Sequence, residues 1–206
     1  MNIIQVGSYP LSADCIHGGV ESSVYGLTQA LVRAGHTVDV FDFPRIGGKD
    51  TSERMGLQTV HRYANLGKHN EDAMQRGKEI FRDIVALHPD VVHVHGTGEL
   101  SGALYKAIVN YGIPVILTVH GLLHEEKKQA LCRKPSVKHL YQYIVQTRAE
   151  MTVLNCASRI IVDTPYVERM ITQYQHKGRL TQLPKIHIIP QGINAAYYDL
   201  SCDSKS

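Results

Sequence analysis

The sequence contains no tryptophan, only 3 phenylalanines and only 4 cysteines in 206 residues. Cys15, Cys132, Cys156 and Cys202 form no C-x-x-C pair, so reduced thiols are expected rather than a disulfide framework or a zinc site. No apolar run approaches the length of a membrane-spanning helix, and Met1-Asn2-Ile3-Ile4 leads into a strand pattern rather than a signal peptide. We therefore expect a cytoplasmic protein.

The sequence also lacks a strong charge bias. Its net charge is +3 with the histidines neutral, which is too small to indicate nucleic-acid binding on its own. Hydrophobic residues make up 43% of the chain and charged residues 20%. These values are typical of a soluble globular protein with one large domain.

The most informative segment is Gly18-Gly19-Val20-Glu21. It follows the apolar strand pattern of residues 2–7 and precedes a helix pattern that Gly35 ends. Two adjacent glycines at a helix N-terminus leave backbone N–H groups unshielded where the helix dipole is positive. The segment therefore predicts a loop that accepts an anion, such as the phosphate of a nucleotide or a phosphorylated compound.

Strand and helix patterns alternate along the rest of the chain. Further strands are predicted at 37–41, 59–63, 91–95, 114–119, 159–162 and 186–190, and helices fall between most of them. This order predicts an α/β fold with a doubly wound, mostly parallel sheet and helices on both faces, which is Rossmann-like. Ligands of such sheets bind outside the carboxyl ends of the strands, where the strand order reverses. The residues expected at that crevice are Gly18, Gly19, His95, Gly96, Thr97, Gly98, His120 and Gly121.

Two segments are predicted to be loops: the Gly-rich stretch 44–54 and the polar, basic stretch 124–134. The second precedes a long helix expected to place Leu140, Ile144, Met151 and Leu154 on one side. Its lysines and arginines could attract a phosphorylated or lipid-linked acceptor, or an anionic membrane surface. A merely solvated face is the favoured interpretation of such a charge run.

A nicotinamide-dependent oxidoreductase is the alternative from a different class of enzyme. Asp39 and Asp42 lie at a suitable distance along the chain to bind a ribose. However, eleven residues separate Val6 from Gly18, and the glycines are adjacent rather than spaced as G-x-G-x-x-G. No Lys-Ser/Thr pair follows them, so the segment is not a Walker A loop either.

Four segments together resemble the N-terminal domain of family 4 retaining GT-B glycosyltransferases. The resemblance spans nearly the whole chain. It is carried by the glycine segment 18–21 with its continuation through Val40, by Asp90–Gly96, by Thr118–Gly121 and by Ile188–Asn194, which matches the "V-I-P-N-G-I-D" pattern before the interdomain hinge.

The resemblance implies the acceptor-binding half of an enzyme that transfers a sugar from a nucleotide-sugar to an acceptor hydroxyl, in polysaccharide or glycolipid synthesis. Residues 1–194 would form this domain, and residues 195–206 a hinge or tail leading to an absent C-terminal donor-binding domain. The chain alone is then expected to be inactive, since one domain cannot hold both substrates or exclude water. The nucleotide-sugar would be a substrate and no cofactor is expected. Peripheral contact with the inner face of a membrane is conceivable.

The resemblance also implies site roles. Gly18 and Gly19 would bind the donor diphosphate, where a plain turn is the competing interpretation. His120 would be the catalytic residue, in contact with the acceptor or the transferring sugar, and a histidine that bonds a loop carbonyl is the less favoured interpretation. The acceptor-binding candidates are Glu21, which could instead complement the helix dipole, and His95, Gly96, Thr97 and Gly121.

No metal site is expected. The pair His93-x-His95 could chelate zinc together with His120, but no further ligand of suitable spacing follows, and the family pattern accounts for both histidines without a metal. A second class of function stays open beside the enzyme. The chain could be a non-catalytic module that binds a sugar or nucleotide, or one subunit of a split enzyme.

Overall fold

A computed structural model describes residues 1–43, 49–64 and 70–192, with the side chains of 70–73 left out. The strands are β1 (Asn2–Val6), β2 (Thr37–Asp42), β3 (Thr51–Met55), β4 (Gln58–Arg62), β5 (Val91–His95), β6 (Val115–Val119), β7 (Arg159–Val162) and β8 (Lys185–Ile188). The helices are α1 (Gly19–Arg33), α2 (Asn70–Ala86), α3 (Gly102–Asn110), α4 (Leu123–Arg133), α5 (Val137–Cys156) and α6 (Pro165–His176). The predicted tail at 195–206 and the end of the hinge pattern, Ile193 and Asn194, lie outside the described residues.

The eight strands form one sheet in the order β3-β4-β2-β1-β5-β6-β7-β8. All neighbouring strands are parallel except β3, which pairs antiparallel with β4. The chain builds outward from β1 through β2 and then reverses to β5 on the other side of β1. The predicted doubly wound fold is confirmed, with its switch point between β1 and β5.

The central strands are buried on both faces, as a sheet covered by two helical layers requires. Ile4 and Val6 of β1, Val94 of β5 and Leu117 of β6 are all at most 1% exposed. This burial explains why the sequence of these strands is almost continuously apolar. Such strands set a rigid frame, and the loops at their carboxyl ends carry the site.

The predicted loop at 44–54 is wrong at its end, where Thr51–Met55 form β3. All five residues of β3 are exposed at the edge of the sheet, so no apolar alternation marks the strand in the sequence. Gly56, with a φ of 64°, makes the tight turn into β4. Residues 44–48 of that predicted loop lie outside the described residues.

The predicted basic loop at 124–134 is also wrong, because Leu123–Arg133 form helix α4. His124 is the buried residue of this helix, so the sequence shows no apolar periodicity there. Glu125 and Glu126 in the first turn and Arg133 in the last complement the helix dipole.

Helix α5 begins after Ser136, whose hydroxyl accepts from the N–H of His139 at 3.1 Å. Of the four residues predicted to lie on one side of this helix, Met151 and Leu154 are buried, whereas Leu140 and Ile144 are exposed. The helix is 20 residues long, and its buried residues all lie in the second half, at 150–154. Across the described ranges, no helix combines the length and apolar character needed to cross a membrane.

Candidate active site

A cleft of about 370 Å³ lies at the carboxyl ends of β5 and β6, beside the switch point. It is lined by Val20 of α1, by the loops after β5 and β6, by the first turns of α4 and by one residue of α5. The lining residues are Val20, His95, Gly96, Thr97, Gly98, Glu99, His120, Gly121, Leu123, Glu126, Lys127 and Gln146. The structure thus brings together most of the residues that the sequence placed at the crevice.

Two histidines stack at the floor of the cleft. The ring centroids of His95 and His120 are 5.6 Å apart with an interplanar angle of 16°, and His95 Nδ1 lies 3.3 Å from His120 Nε2. His95 is 1% exposed, and its pKa is lowered to about 2, mainly by burial and additionally by repulsion from His93 and His120. His95 is therefore neutral near pH 7. Its buried ring packs against His120 and does not extend into solvent.

His93 lies two residues before His95, on the same face of β5. The two ring centroids are 4.2 Å apart, and His93 Nε2 lies 2.7 Å from the Thr118 hydroxyl. Burial lowers the pKa of His93 to about 4, so this ring is also neutral near pH 7. His95 is among the residues that line the cleft and His93 is not, although both side chains are buried.

His120 is half-buried at the open side of the cleft. The Gln191 amide Nε2 donates to His120 Nδ1 at 2.8 Å, across 71 positions of the chain. Burial lowers the pKa of His120, while the charge of Asp163 acts in the opposite direction. A neutral imidazole in this place can accept or donate a hydrogen bond near pH 7.

Backbone at the cleft approaches its neighbours closely. Gly96 has a φ of 111°, a conformation that side chains disfavour. A Cβ on Gly7, just after β1, would lie 3.0 Å from His95 Cβ and 3.2 Å from Val24 Cγ2. Gly7 therefore lets His95 sit against the end of β1. The sequence analysis did not single out this glycine.

Glu150 on α5 joins the loop after β5 to the start of α4, and the sequence analysis missed it. This carboxylate is 1% exposed and accepts from the N–H groups of Leu123 and His124 at 2.9 and 3.2 Å. It also accepts from the Thr97 hydroxyl at 2.8 Å and lies 2.6 Å from His124 Nδ1. The Thr97 hydroxyl therefore already donates its proton to Glu150. A lone acid beside Met151 and Leu154 on the buried side of the helix was the available signal.

The N-terminus of α1 borders the cleft through Val20. Gly18 is the N-cap in an extended conformation with no side-chain cap, and a Cβ on Gly18 or Gly19 would meet nothing within 4 Å. The space on the Cβ side of these two glycines is therefore open. Glu21 does not line the cleft, and its carboxylate accepts from the N–H of His17 at 2.6 Å.

The carboxylates proposed for a ribose already have partners. Asp39 Oδ1 lies 2.9 Å from His61 Nε2, and Asp42 Oδ2 accepts from Arg62 Nη1 at 2.5 Å. Both aspartates are also buried. These contacts favour a structural role over dinucleotide binding. In the part of the chain that the structure describes, no group of three or more His, Cys, Asp or Glu side chains could hold a metal ion.

The family model for Glycosyltransferase Family 4 matches residues 17–197, which covers most of the chain. The chain belongs to glycosyltransferase family 4. This membership confirms the resemblance drawn from the four sequence segments. No curated protein matches the chain.

Solved structures agree on the fold of this family 4 chain. Sucrose-phosphate synthase from Thermosynechococcus elongatus matches with a TM-score of 0.65 and 15% identity over 95% of this chain and 49% of that one. An α,α-trehalose 6-phosphate synthase from Burkholderia multivorans gives 0.56 and 11% over 96% and 50%. Medicago truncatula UGT71G1, complexed with UDP-glucose, gives 0.54 and 11% over 91% and 51%. The chain spans about half the length of these structures.

Proposed function

We propose that this chain is the acceptor-side half of a retaining glycosyltransferase that moves a sugar from a nucleotide-sugar to an acceptor hydroxyl. Polysaccharide or glycolipid synthesis in the cytoplasm is the proposed setting. The observation that carries the proposal is that His120, the loop after β5 and the start of α1 line the same cleft. Family membership and a structural neighbour complexed with UDP-glucose support it.

The open N-terminus of α1 is the proposed contact for the donor diphosphate. In the reaction, the bond between the anomeric carbon and the diphosphate oxygen breaks, and negative charge grows on the leaving group. Backbone N–H groups at Gly18 and Gly19 would stabilise that charge without reorganising. The open space beside both residues leaves room for the phosphates.

His120 is the proposed catalytic residue, in contact with the acceptor or the transferring sugar. Both of its ring nitrogens have partners, the buried His95 and the exposed Gln191. Gln191 is the partner that a sugar hydroxyl could replace, because it lies at the solvent side. Gly96, Gly121 and His95 line the same cleft and would shape the acceptor site. Glu21 and Thr97 are weaker candidates, since their side chains already hold His17 and Glu150.

The test joins residues 1–206 to the sequence that follows them in the gene and screens nucleotide-sugars for transfer and hydrolysis. We expect turnover with one donor class, and little or none from residues 1–206 alone. Thermal-shift titrations with UDP, GDP and NADH run in parallel. A shift with NADH alone would overturn the proposal. Donor binding without any turnover by the joined protein would favour a binding module.

A further inference from the structure

The first half of α5 carries an exposed apolar surface. Its residues recur at helical spacing along one side, and Val137 and Tyr141 are 86% and 67% exposed. We call this surface the α5 strip. It consists of Val137, Leu140, Tyr141, Ile144 and Val145. Five neighbouring apolar side chains in water are unfavourable unless a partner covers them.

Exposed cations surround the α5 strip. Arg133 and Lys134 precede α5, while Lys138 and Arg148 lie on it, and all four side chains are exposed. No Asp or Glu occurs from Lys127 to Ala149. Among the described residues, no ion pair engages these four cations.

We propose that the α5 strip and its rim of Arg133, Lys134, Lys138 and Arg148 dock on an anionic lipid bilayer. An interfacial helix needs one apolar face and flanking cations, and α5 with its preceding turn presents both. Tyr141 suits the boundary, because its ring is apolar and its hydroxyl can stay hydrated. The solvated-face interpretation of the basic stretch fails to explain the apolar strip between the cations.

Charge complementarity selects the lipid over a second copy of the chain. In a dimer packed through this face, the four cations of one copy would lie close to the four of the other, and no acid in this stretch would offset them. An anionic bilayer attracts each cation and accepts the apolar side chains at the same time. Gln146, the residue after Val145, lines the cleft, so docking would place the cleft near the membrane surface. The proposal does not depend on the transferase activity.

The test is flotation of the purified chain with vesicles of phosphatidylglycerol and phosphatidylcholine in equal amounts, and with pure phosphatidylcholine. We expect binding to the mixed vesicles only, weakened when salt rises from about 0.1 M to about 1 M. A variant that combines Lys134→Gln and Lys138→Gln should bind the mixed vesicles about fivefold more weakly for each charge removed. The control is Lys78→Gln with Lys106→Gln, two exposed lysines elsewhere, which should leave binding unchanged.

The apolar part is tested with Val137→Ser and Tyr141→Ser together, which should weaken binding about tenfold or more. Both residues are highly exposed, so the variant should keep the wild-type circular dichroism spectrum and melting temperature. Met55→Ser with Tyr166→Ser, also exposed, is the matched control. Equal binding to both vesicle types, or no binding at all, would overturn the proposal. A concentration-dependent dimer that binds no vesicles, and that Val137→Ser with Tyr141→Ser abolishes, would also overturn it.

Discussion

The Gln191 side-chain amide donates to His120 Nδ1 at 2.8 Å, which ties the segment after β8 to the histidine of the cleft. Gln191 belongs to the stretch that resembles the interdomain hinge of family 4 enzymes. A change in that segment would therefore alter the hydrogen bonding of His120 directly. This contact links the cleft directly to the segment that resembles the interdomain hinge.

Replacing Gln191→Ala should raise the pKa of His120. The hydrogen bond to Nδ1 exists only while that nitrogen is unprotonated, and losing the side chain also exposes the ring to water. Both changes favour the protonated form. An NMR titration of the histidine ring protons measures the effect, with Gln175→Ala on α6 as the control. An unchanged His120 titration would show that this contact is absent in solution.

Replacing Gly7→Ala should destabilise the fold by about 1–3 kcal/mol, because the new methyl would press against His95 Cβ and Val24. Gly26→Ala is the matched control. Gly26 lies in α1 with open space around its Cβ position, so alanine there should be neutral or stabilising by up to about 1 kcal/mol. Urea unfolding measures both. Equal stabilities for the two variants would contradict the close packing at Gly7.

Replacing Glu150→Gln should cost about 3–5 kcal/mol of stability, since the carboxylate accepts four hydrogen bonds while buried. The amide NH2 of glutamine would face groups that also donate. Glu53→Gln, on the exposed edge strand β3, serves as the control. A loss of stability below about 1 kcal/mol would mean that Glu150 is not needed to hold the loop after β5 against the start of α4.

The stability should also fall as the pH drops below 6.5. His93 and His95 have pKa values lowered to about 4 and about 2, so the unfolded chain binds their protons first. At about pH 5 each histidine should reduce the free energy of unfolding by about 2 kcal/mol. This loss of stability is absent above about pH 6.5, the pKa of a histidine in the unfolded chain. His95→Gln should flatten this part of the pH profile, and the exposed control His176→Gln should not.

The sequence predicts the parts of this protein that depend on local pattern. The buried strands β1, β5 and β6 read as largely apolar segments, and the alternation of strands and helices predicts the doubly wound sheet and a cleft at the carboxyl ends of its strands. Prediction from the sequence fails where few or no apolar side chains are buried, as for the exposed β3 and for α4, whose buried residue is a histidine. Contacts such as Glu150 with Thr97 and Gln191 with His120 join residues 53 and 71 positions apart. They follow from the register of packed elements, which no single segment encodes.

The most direct test of the account is the rate of sugar transfer by the joined protein with His120→Ala. We expect kcat to fall at least about 100-fold relative to the unsubstituted protein, with His176→Ala unchanged. The fold should remain intact, because His120 is half-buried at the open side of the cleft. Full transfer activity in the His120→Ala protein would contradict the assignment of this cleft as the active site.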